Sequence, residues 1–331
     1  RGHIKANHNF LDFATYVCLF PQLVAGPIVR YSSIHKQLKS REITKEKFVS
    51  GIRRFIVGLA KKVLIANTFA TIADSIFSHE VNELSTVFVW VGIISYSIQI
   101  YFDFSGYSDM AIGLGKMFGF DFPENFNFPY ISKNIREFWQ RWHISLSTWF
   151  RDYVYISLGG NRRSNLRTYI NLYTVFFVTG LWHGASWNFI FWGLFHGTFL
   201  VIERTGLGKK LQKVWAPIQH LYTLLVVIVG WVFFRAEDLG TAFLYLKRMF
   251  WYSSGNMTLN SYLSFFHFNS HTLFFLLAAI IFSMPTSQII EQRVIIHKIN
   301  WLKPIYLLIL FGLTITYLSA DSYNPFIYFR F

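Results

Sequence analysis

Two histidines stand out for chemistry because of what surrounds them. His183 follows an apolar run, 172–182, and precedes a second one, 187–202, so an imidazole falls at hydrocarbon depth. An ionisable side chain at that depth is costly and marks a functional site by default, the plainer alternative being a neutral, hydrogen-bonded core histidine. A neutral imidazole, with an unperturbed pKa near ~6.5, is suited to taking the proton of a hydroxyl as that hydroxyl attacks a carbonyl. His143 recurs with Arg136, Gln140, Ser147 and Arg151 at intervals of three and four, beside an apolar stripe of Ile135, Phe138, Trp142, Leu146, Trp149 and Tyr153. This spacing predicts one amphipathic helix, capped by Ser132 or Asn134, with His143 on its polar face as a second chemical group or as a solvated residue. His196 follows His183 by 13 residues. At about 100° per residue that is another helix face, and His196 reads as a packing histidine.

Other chemistries lack their residues. No nucleophile elbow or Ser-His-Asp order supports a serine acyl-enzyme, and the histidines lack HExxH-type metal spacing. Cys18 is the single cysteine, a small buried hydrophobe by default, and excludes an intrachain disulfide and a cysteine metal cluster. The glycines of 103–115 have neither the spacing nor the preceding strand of a nucleotide fingerprint.

The elements that position these residues are membrane segments. The 331 residues are 53% hydrophobic, 20% aromatic and only 15% charged, against about 25% charged in soluble domains. Apolar runs recur with gaps too short to fold alone, which predicts an all-α, polytopic membrane protein with one domain over 1–331. The 31 Lys+Arg against 17 Asp+Glu give +14, which the positive-inside rule assigns mainly to cytoplasmic loops. No nucleic-acid motif accompanies the charge, so no nucleic acid is expected.

Along the chain, 10–29 is apolar but interrupted by Pro21, Gly26 and Pro27, and reads as a broken or re-entrant segment. The basic stretch 30–47 reads as a cytoplasmic loop. Segment 48–77 is helical in period but carries Arg53, Arg54, Lys61 and Lys62. It reads as an interfacial helix or a tilted span with snorkelling ends, its cations facing headgroups or a phosphorylated donor. Segment 84–102 is a clean span. Directly after it, 103–119 mixes Asp103, Ser105 and Asp109 with Gly106, Gly113 and Gly115, and reads as a second broken stretch buried in protein or lining a cavity. Gly159 and Gly160 stop the amphipathic helix. Segments 166–182, 187–202, 221–234, 272–284 and 302–318 complete the membrane set, 241–250 reads as interfacial, and 204–213 is another basic loop. No internal repeat is evident.

Several ordered motifs make the chain recognisable: 101–109 (YFDFSGYSD), 123–127 (PENFN), 138–147 (FWQRWHISLS), 159–162 (GGNR) and 180–184 (GLWHG), with 21–28 (PQLVAGPI) and 324–328 (NPFIY). The sequence resembles the membrane-bound O-acyltransferase family, in particular its bacterial branch that acetylates alginate, peptidoglycan and related polysaccharides. The resemblance implies a helical ring around a central tunnel with re-entrant segments, in a multi-pass protein of the bacterial inner (cytoplasmic) membrane. Family members carry further N-terminal helices, and the chain opens at Arg1 without a signal-peptide layout, so upstream sequence is expected. His183 matches the hallmark membrane histidine, expected as general base, and His143 the second hallmark position. The latter orients the acceptor, polarises the thioester carbonyl or holds His183 in one tautomer. Asp103, Ser105, Asp109, Arg141 and Trp182 are expected to bind substrate.

No cofactor or metal is expected to be resident. The implied partners are an acyl thioester donor (acetyl-CoA or an acyl-carrier thioester), a periplasmic or extracellular acetyltransferase protein, a polysaccharide acceptor and membrane lipid. D-alanyl transfer to teichoic acid from a carrier protein is the alternative within the family, although 144–149 and 159–162 are closer to the acetylating branch. A proton-coupled transporter relaying through His183, Asp103 and Asp109 is the alternative from another class, and transporters often show the inverted repeats missing here.

Overall fold

The computed structural model describes residues 9–24, 26–255, 269–286, 302–320 and 326. Among the described residues every regular element is helical. The 324–328 motif lies outside them except for Phe326, whose ring packs on Tyr107 and Phe104 with centroids 4.7 and 6.0 Å away.

Helix α1 (Phe10–Cys18) begins at Asn9, whose side chain accepts the Leu11 N–H. It ends before a short 3-10 turn, Phe20–Gln22, that contains Pro21, so the 10–29 segment is interrupted as its prolines require. Helix α2 (Tyr31–Lys39) occupies the stretch expected as a loop. Ile34 and Leu38, four residues apart, bury its inner face against Phe120 and Phe122, and the basic residues hid that spacing.

Helices α3 (Lys45–Ala60) and α4 (Asn67–Phe77) are joined by a π-helical turn, Lys61–Ala66, into one apolar rod of 33 residues. Helix α5 (Thr86–Met117), capped by Ser85, runs antiparallel to it for 32 residues. The break expected at 103–119 is absent, because α5 continues straight through. Its glycines serve close approach instead of a kink. A Cβ at Gly106 would lie 2.7 Å from the Gly58 carbonyl oxygen, and one at Gly58 would lie 2.6 Å from the Gly106 oxygen. Gly113 and Gly51 face each other in the same way, at 2.7 and 2.6 Å. Small residues at a membrane helix interface let backbones meet in this manner while every backbone hydrogen bond stays inside its own helix.

The same seam corrects the reading of the cations on the 45–77 rod. Arg54 and Lys61 reach Asp109 at 2.8 and 2.7 Å, and Lys62 reaches Asp103 at 2.8 Å. Arg54 also binds Glu124. These cations neither snorkel nor await a ligand, whereas Arg53 is exposed. Asp103 is 1% exposed, so its charge depends on its partner.

Helices α6 (Ile135–Arg141) and α7 (Ile144–Phe150) follow, α7 running into a π-helical turn, Arg151–Tyr155. There the Arg151 guanidinium, and then Arg30, hold the Asp152 carboxyl below the usual carboxylate range and tie down the N-terminal segment. Helices α8 (Asn165–His183) and α9 (Trp187–Ile202) form an antiparallel pair in which Gly193 sits against the Phe176 carbonyl. Next come α10 (Gly208–Leu211), α11 (Ala216–Arg235) and α12 (Leu239–Phe250). Two further helices, α13 (Ser270–Phe282) and α14 (Leu302–Ala320), complete the described set. The rods 45–77 and 86–117, with α11 and α14, are long and apolar enough to cross a membrane, and the chain is a multi-pass membrane protein. The Arg235–Asp74 ion pair sets the C-terminal end of α11 beside the C-terminal end of the 45–77 rod, so 204–213, which precedes α11, lies at the same end as 36–47.

Three outcomes are predicted. In a Cys18→Ser background, single cysteines at the exposed Lys39 and Lys210 react with an impermeant maleimide only after the membrane is opened; labelling of either in intact cells rejects the shared cytoplasmic end. Gly106→Leu forces α3 and α5 apart and costs about 1–3 kcal/mol or more in a detergent unfolding titration, and wild-type stability with full activity would reject the seam. Lys62→Met strands the Asp103 carboxylate and costs about 3–5 kcal/mol in the same titration, most of it recovered by Asp103→Asn in addition.

Candidate active site

His143 owes its position to a break that helical periodicity does not reveal. The expected single helix over 135–153 is two, because His143 takes φ 43° and ψ 55° between α6 and α7. Left-handed geometry at a non-glycine residue is uncommon and histidine tolerates it better than most. The turn lets Trp142 bury itself against Trp231 and Phe138, with ring centroids 4.9 and 5.7 Å away. It also draws His143 inward to 3% exposure, so the solvated-face reading is wrong.

The loop 123–129 satisfies the groups that the break exposes. Asn127 N–H donates to the Arg141 carbonyl and Ile144 N–H to the Asn125 carbonyl, both at 2.9 Å. Asn125 is fully buried, and its Oδ1 accepts the Ser145 N–H at 3.2 Å and the Ser145 hydroxyl at 2.8 Å. His143 Nδ1 lies 3.0 Å from the same oxygen. Ser145 Oγ in turn accepts the Ile28 N–H at 3.0 Å, so the interrupted N-terminal segment is stitched to the same point. The far end of α6 is held by Glu203, whose carboxylate accepts the Ile135 and Arg136 N–H groups at 2.7 and 3.2 Å. A carboxylate there also complements the positive end of the helix.

His183 is the last residue of α8, before the Gly184 cap. Its ring sits in an aromatic box of Trp182, Trp192 and Phe234, with centroids 5.0, 5.0 and 5.1 Å away, and Phe189 at 6.2 Å. Its Nδ1 is sealed without a hydrogen-bond partner. Trp182, 44% exposed, lies 6.2 Å from His143 and 5.0 Å from His183 and links the two imidazoles. His196 is 0% exposed among Phe138, Trp139 and Trp192, in keeping with a packing role.

Of the residues singled out in the sequence, the structure brings together His143, His183 and Trp182. Asp103 and Asp109 face the cations of the 45–77 rod. Ser105 is buried between them, with no partner for its hydroxyl. Arg141 braces the loop by donating to the Asn127 carbonyl at 3.0 Å and to Glu137 at 2.9 Å. Among the described residues no three His, Cys, Asp or Glu side chains meet as a metal site requires.

Periodicity missed two features. Asn125 and Ser145 stand inside recognisable motifs, but only their meeting across 20 residues shows what they hold. A cavity of about 350 Å³, lined by Tyr96, Gln99, Ser186, Asn188, Phe189 and Phe234 among others, shares Phe189 and Phe234 with the wall of His183. It lies at the end of the helices opposite the basic segments, where α8 and α11 finish and α9 begins.

Comparison with known proteins identifies relatives of this chain. Residues 2–208 match the family described as MBOAT, membrane-bound O-acyltransferase family. The chain is 42% identical to the probable alginate O-acetylase AlgI of Azotobacter vinelandii, over 100% of this chain and 72% of that protein. It is 51% identical to the probable alginate O-acetylase AlgI of Pseudomonas aeruginosa, over 76% of this chain and 48% of that protein. It is 37% identical to the peptidoglycan O-acetyltransferase of Helicobacter pylori, over 98% of this chain and 65% of that protein. The chain thus spans only part of each relative's length. On the extent of the family match and the identity to these relatives, the chain belongs to the membrane-bound O-acyltransferase family.

Proposed function

We propose that this chain carries the catalytic membrane core of an O-acetyltransferase. It moves an acetyl group from a cytoplasmic thioester donor, acetyl-CoA or an acyl-carrier thioester, toward hydroxyls of an exported polysaccharide of the alginate or peptidoglycan kind. A periplasmic or extracellular acetyltransferase protein is the natural relay to the polymer, and the bacterial inner membrane is the location. The observation that carries this reading is the meeting of His143 and His183 at Trp182, next to a cavity on the side away from the basic segments. The names of the alginate and peptidoglycan relatives support acetyl over D-alanyl transfer.

The chemistry assigned to the site is short. The acceptor hydroxyl attacks the thioester carbonyl, a C–O bond forms, the C–S bond breaks and the thiolate leaves. His183 takes the hydroxyl proton as attack proceeds and returns it to the thiolate, so the imidazole ends as it began. Its aromatic neighbours hold the ring in place beside the reacting groups. His143 orients the acceptor. The ion pairs of Asp103 and Asp109 and the loop hydrogen bonds of Arg141 support structural roles for these three, Ser105 has no contact that argues a role, and Trp182 keeps a place at the substrate.

The test is acetyl transfer per milligram of purified, monodisperse protein. His183→Ala loses ~10²–10⁴ in rate, His143→Ala loses severely, and the double variant is little worse than His183→Ala, as for residues acting together. His196→Ala lowers yield more than specific activity. Full specific activity in His183→Ala overturns the mechanism.

A further inference from the structure

The His143 ring carries information about its own protonation. Asn125 Oδ1 faces the Ser145 backbone N–H, which can only donate, so the oxygen and not the amide nitrogen must stand at that position. The side-chain amide is therefore fixed without reference to the histidine. It stays fixed although Asn125 Nδ2 is sealed with no partner of its own. Since Oδ1 only accepts, the nitrogen 3.0 Å from it, His143 Nδ1, carries the hydrogen. In the neutral ring Nε2 is then an open lone pair, with no hydrogen-bond partner among the described residues, where Nδ1 alone is engaged.

We propose that Asn125 is a positioning residue that locks His143 as the Nδ1–H tautomer, so that Nε2 accepts a hydrogen bond from a hydroxyl of the acceptor. This rests on the acyl-transfer reading above and narrows it. Of the three roles open to His143 in the sequence, polarising the thioester carbonyl needs a donor, and Nε2 is not one. Holding His183 needs a bond between the two rings, and the ring of Trp182 stands beside each of them instead. What remains is recognition of a group that donates, which is the chemistry of an acceptor hydroxyl, whether on a sugar or on the relay protein. Ser145 belongs to the same lock, because its hydroxyl and amide both point at Oδ1 and its oxygen receives the Ile28 N–H.

The test has two independent arms. In ¹⁵N-histidine-labelled protein, with the His143 signals assigned by their loss in His143→Gln, wild type shows Nδ1 protonated and Nε2 bare. Asn125→Ala gives a mixture or the reverse tautomer, and Asn125→Asp, which keeps the accepting oxygen, restores Nδ1–H. In kinetics with acetyl-CoA and a soluble oligosaccharide acceptor, Asn125→Ala loses ~10²-fold in kcat/KM for the acceptor, the scale for a misplaced reacting group. Its KM for the donor stays within about twofold, the pattern for a residue that does not touch the donor. Asn125→Asp recovers most of the loss. A wild-type His143 protonated on Nε2, or a tautomer unchanged in Asn125→Ala, overturns the proposal. If Asn125→Ala does not fold, the wild-type and Asn125→Asp spectra still decide it. Absence of acetyl transfer by wild type to the oligosaccharide and to the relay protein alike, with the Nδ1–H tautomer present, overturns the acyl-transfer reading and the hydroxyl's role while leaving the lock itself established.

Discussion

Two helix backbones meet face to face at Gly51–Gly113 and Gly58–Gly106, and the rest of the molecule is arranged around that contact. Inside a bilayer a polar backbone has no water to fall back on, so a long rod that must approach another closely does best to keep its helix and give up side chains. The closeness has an electrostatic result. It brings Arg54, Lys61 and Lys62 within reach of Asp103 and Asp109, which cancels charges that hydrocarbon would not tolerate. With that side of α5 sealed, its other side is free to present Tyr101 and Phe104 to the segment that carries Trp142 and His143.

The site follows the opposite rule. At His143 the helix does break, and groups released by the break are met by neighbours: the Ile144 N–H by Asn125, the Arg141 carbonyl by Asn127, the Ser145 amide and hydroxyl by the Asn125 side chain. Strain at one residue is held by a loop residue 18 positions away and by the Ile28 segment, far away in the chain. The histidine is thus fixed from three directions before any substrate arrives, which is what a preorganised site requires.

How much of this was legible in the sequence depends on the range of the signal. Hydrophobic runs found the membrane helices, and the motifs around 143 and 183 found the two imidazoles, because both signals are local. The break at His143 was invisible because the apolar positions keep their three-and-four spacing across it, so periodicity ran two helices into one. The glycines of α5 were misread for the reason that makes them useful. A glycine that permits a kink and a glycine that permits contact look the same until the opposing glycine, 48 residues away for Gly106 and 62 for Gly113, is brought to face it. The cations Arg54, Lys61 and Lys62 read as facing headgroups or a donor for want of the same knowledge, since their carboxylate partners lie 41 to 70 residues further on. Ile34 and Leu38 show a milder case, where the apolar spacing was present and charge obscured it.

The π-helical turn Lys61–Ala66 sets the rotational phase of the long rod. A turn of this kind holds one residue more than the α-helix around it, and one residue is worth about 100° of rotation. Below the turn, Gly51 and Gly58 point at α5; above it, Phe69, Ile72, Ala73 and Ile76 are the buried face. The extra residue is what allows a glycine seam and an aliphatic seam of different pitch to address the same neighbour along one unbroken rod. Length in this stretch is therefore more constrained than identity: many apolar residues fit at Val63, Leu64 or Ile65, while a gain or loss of one would set the two halves of the rod at odds.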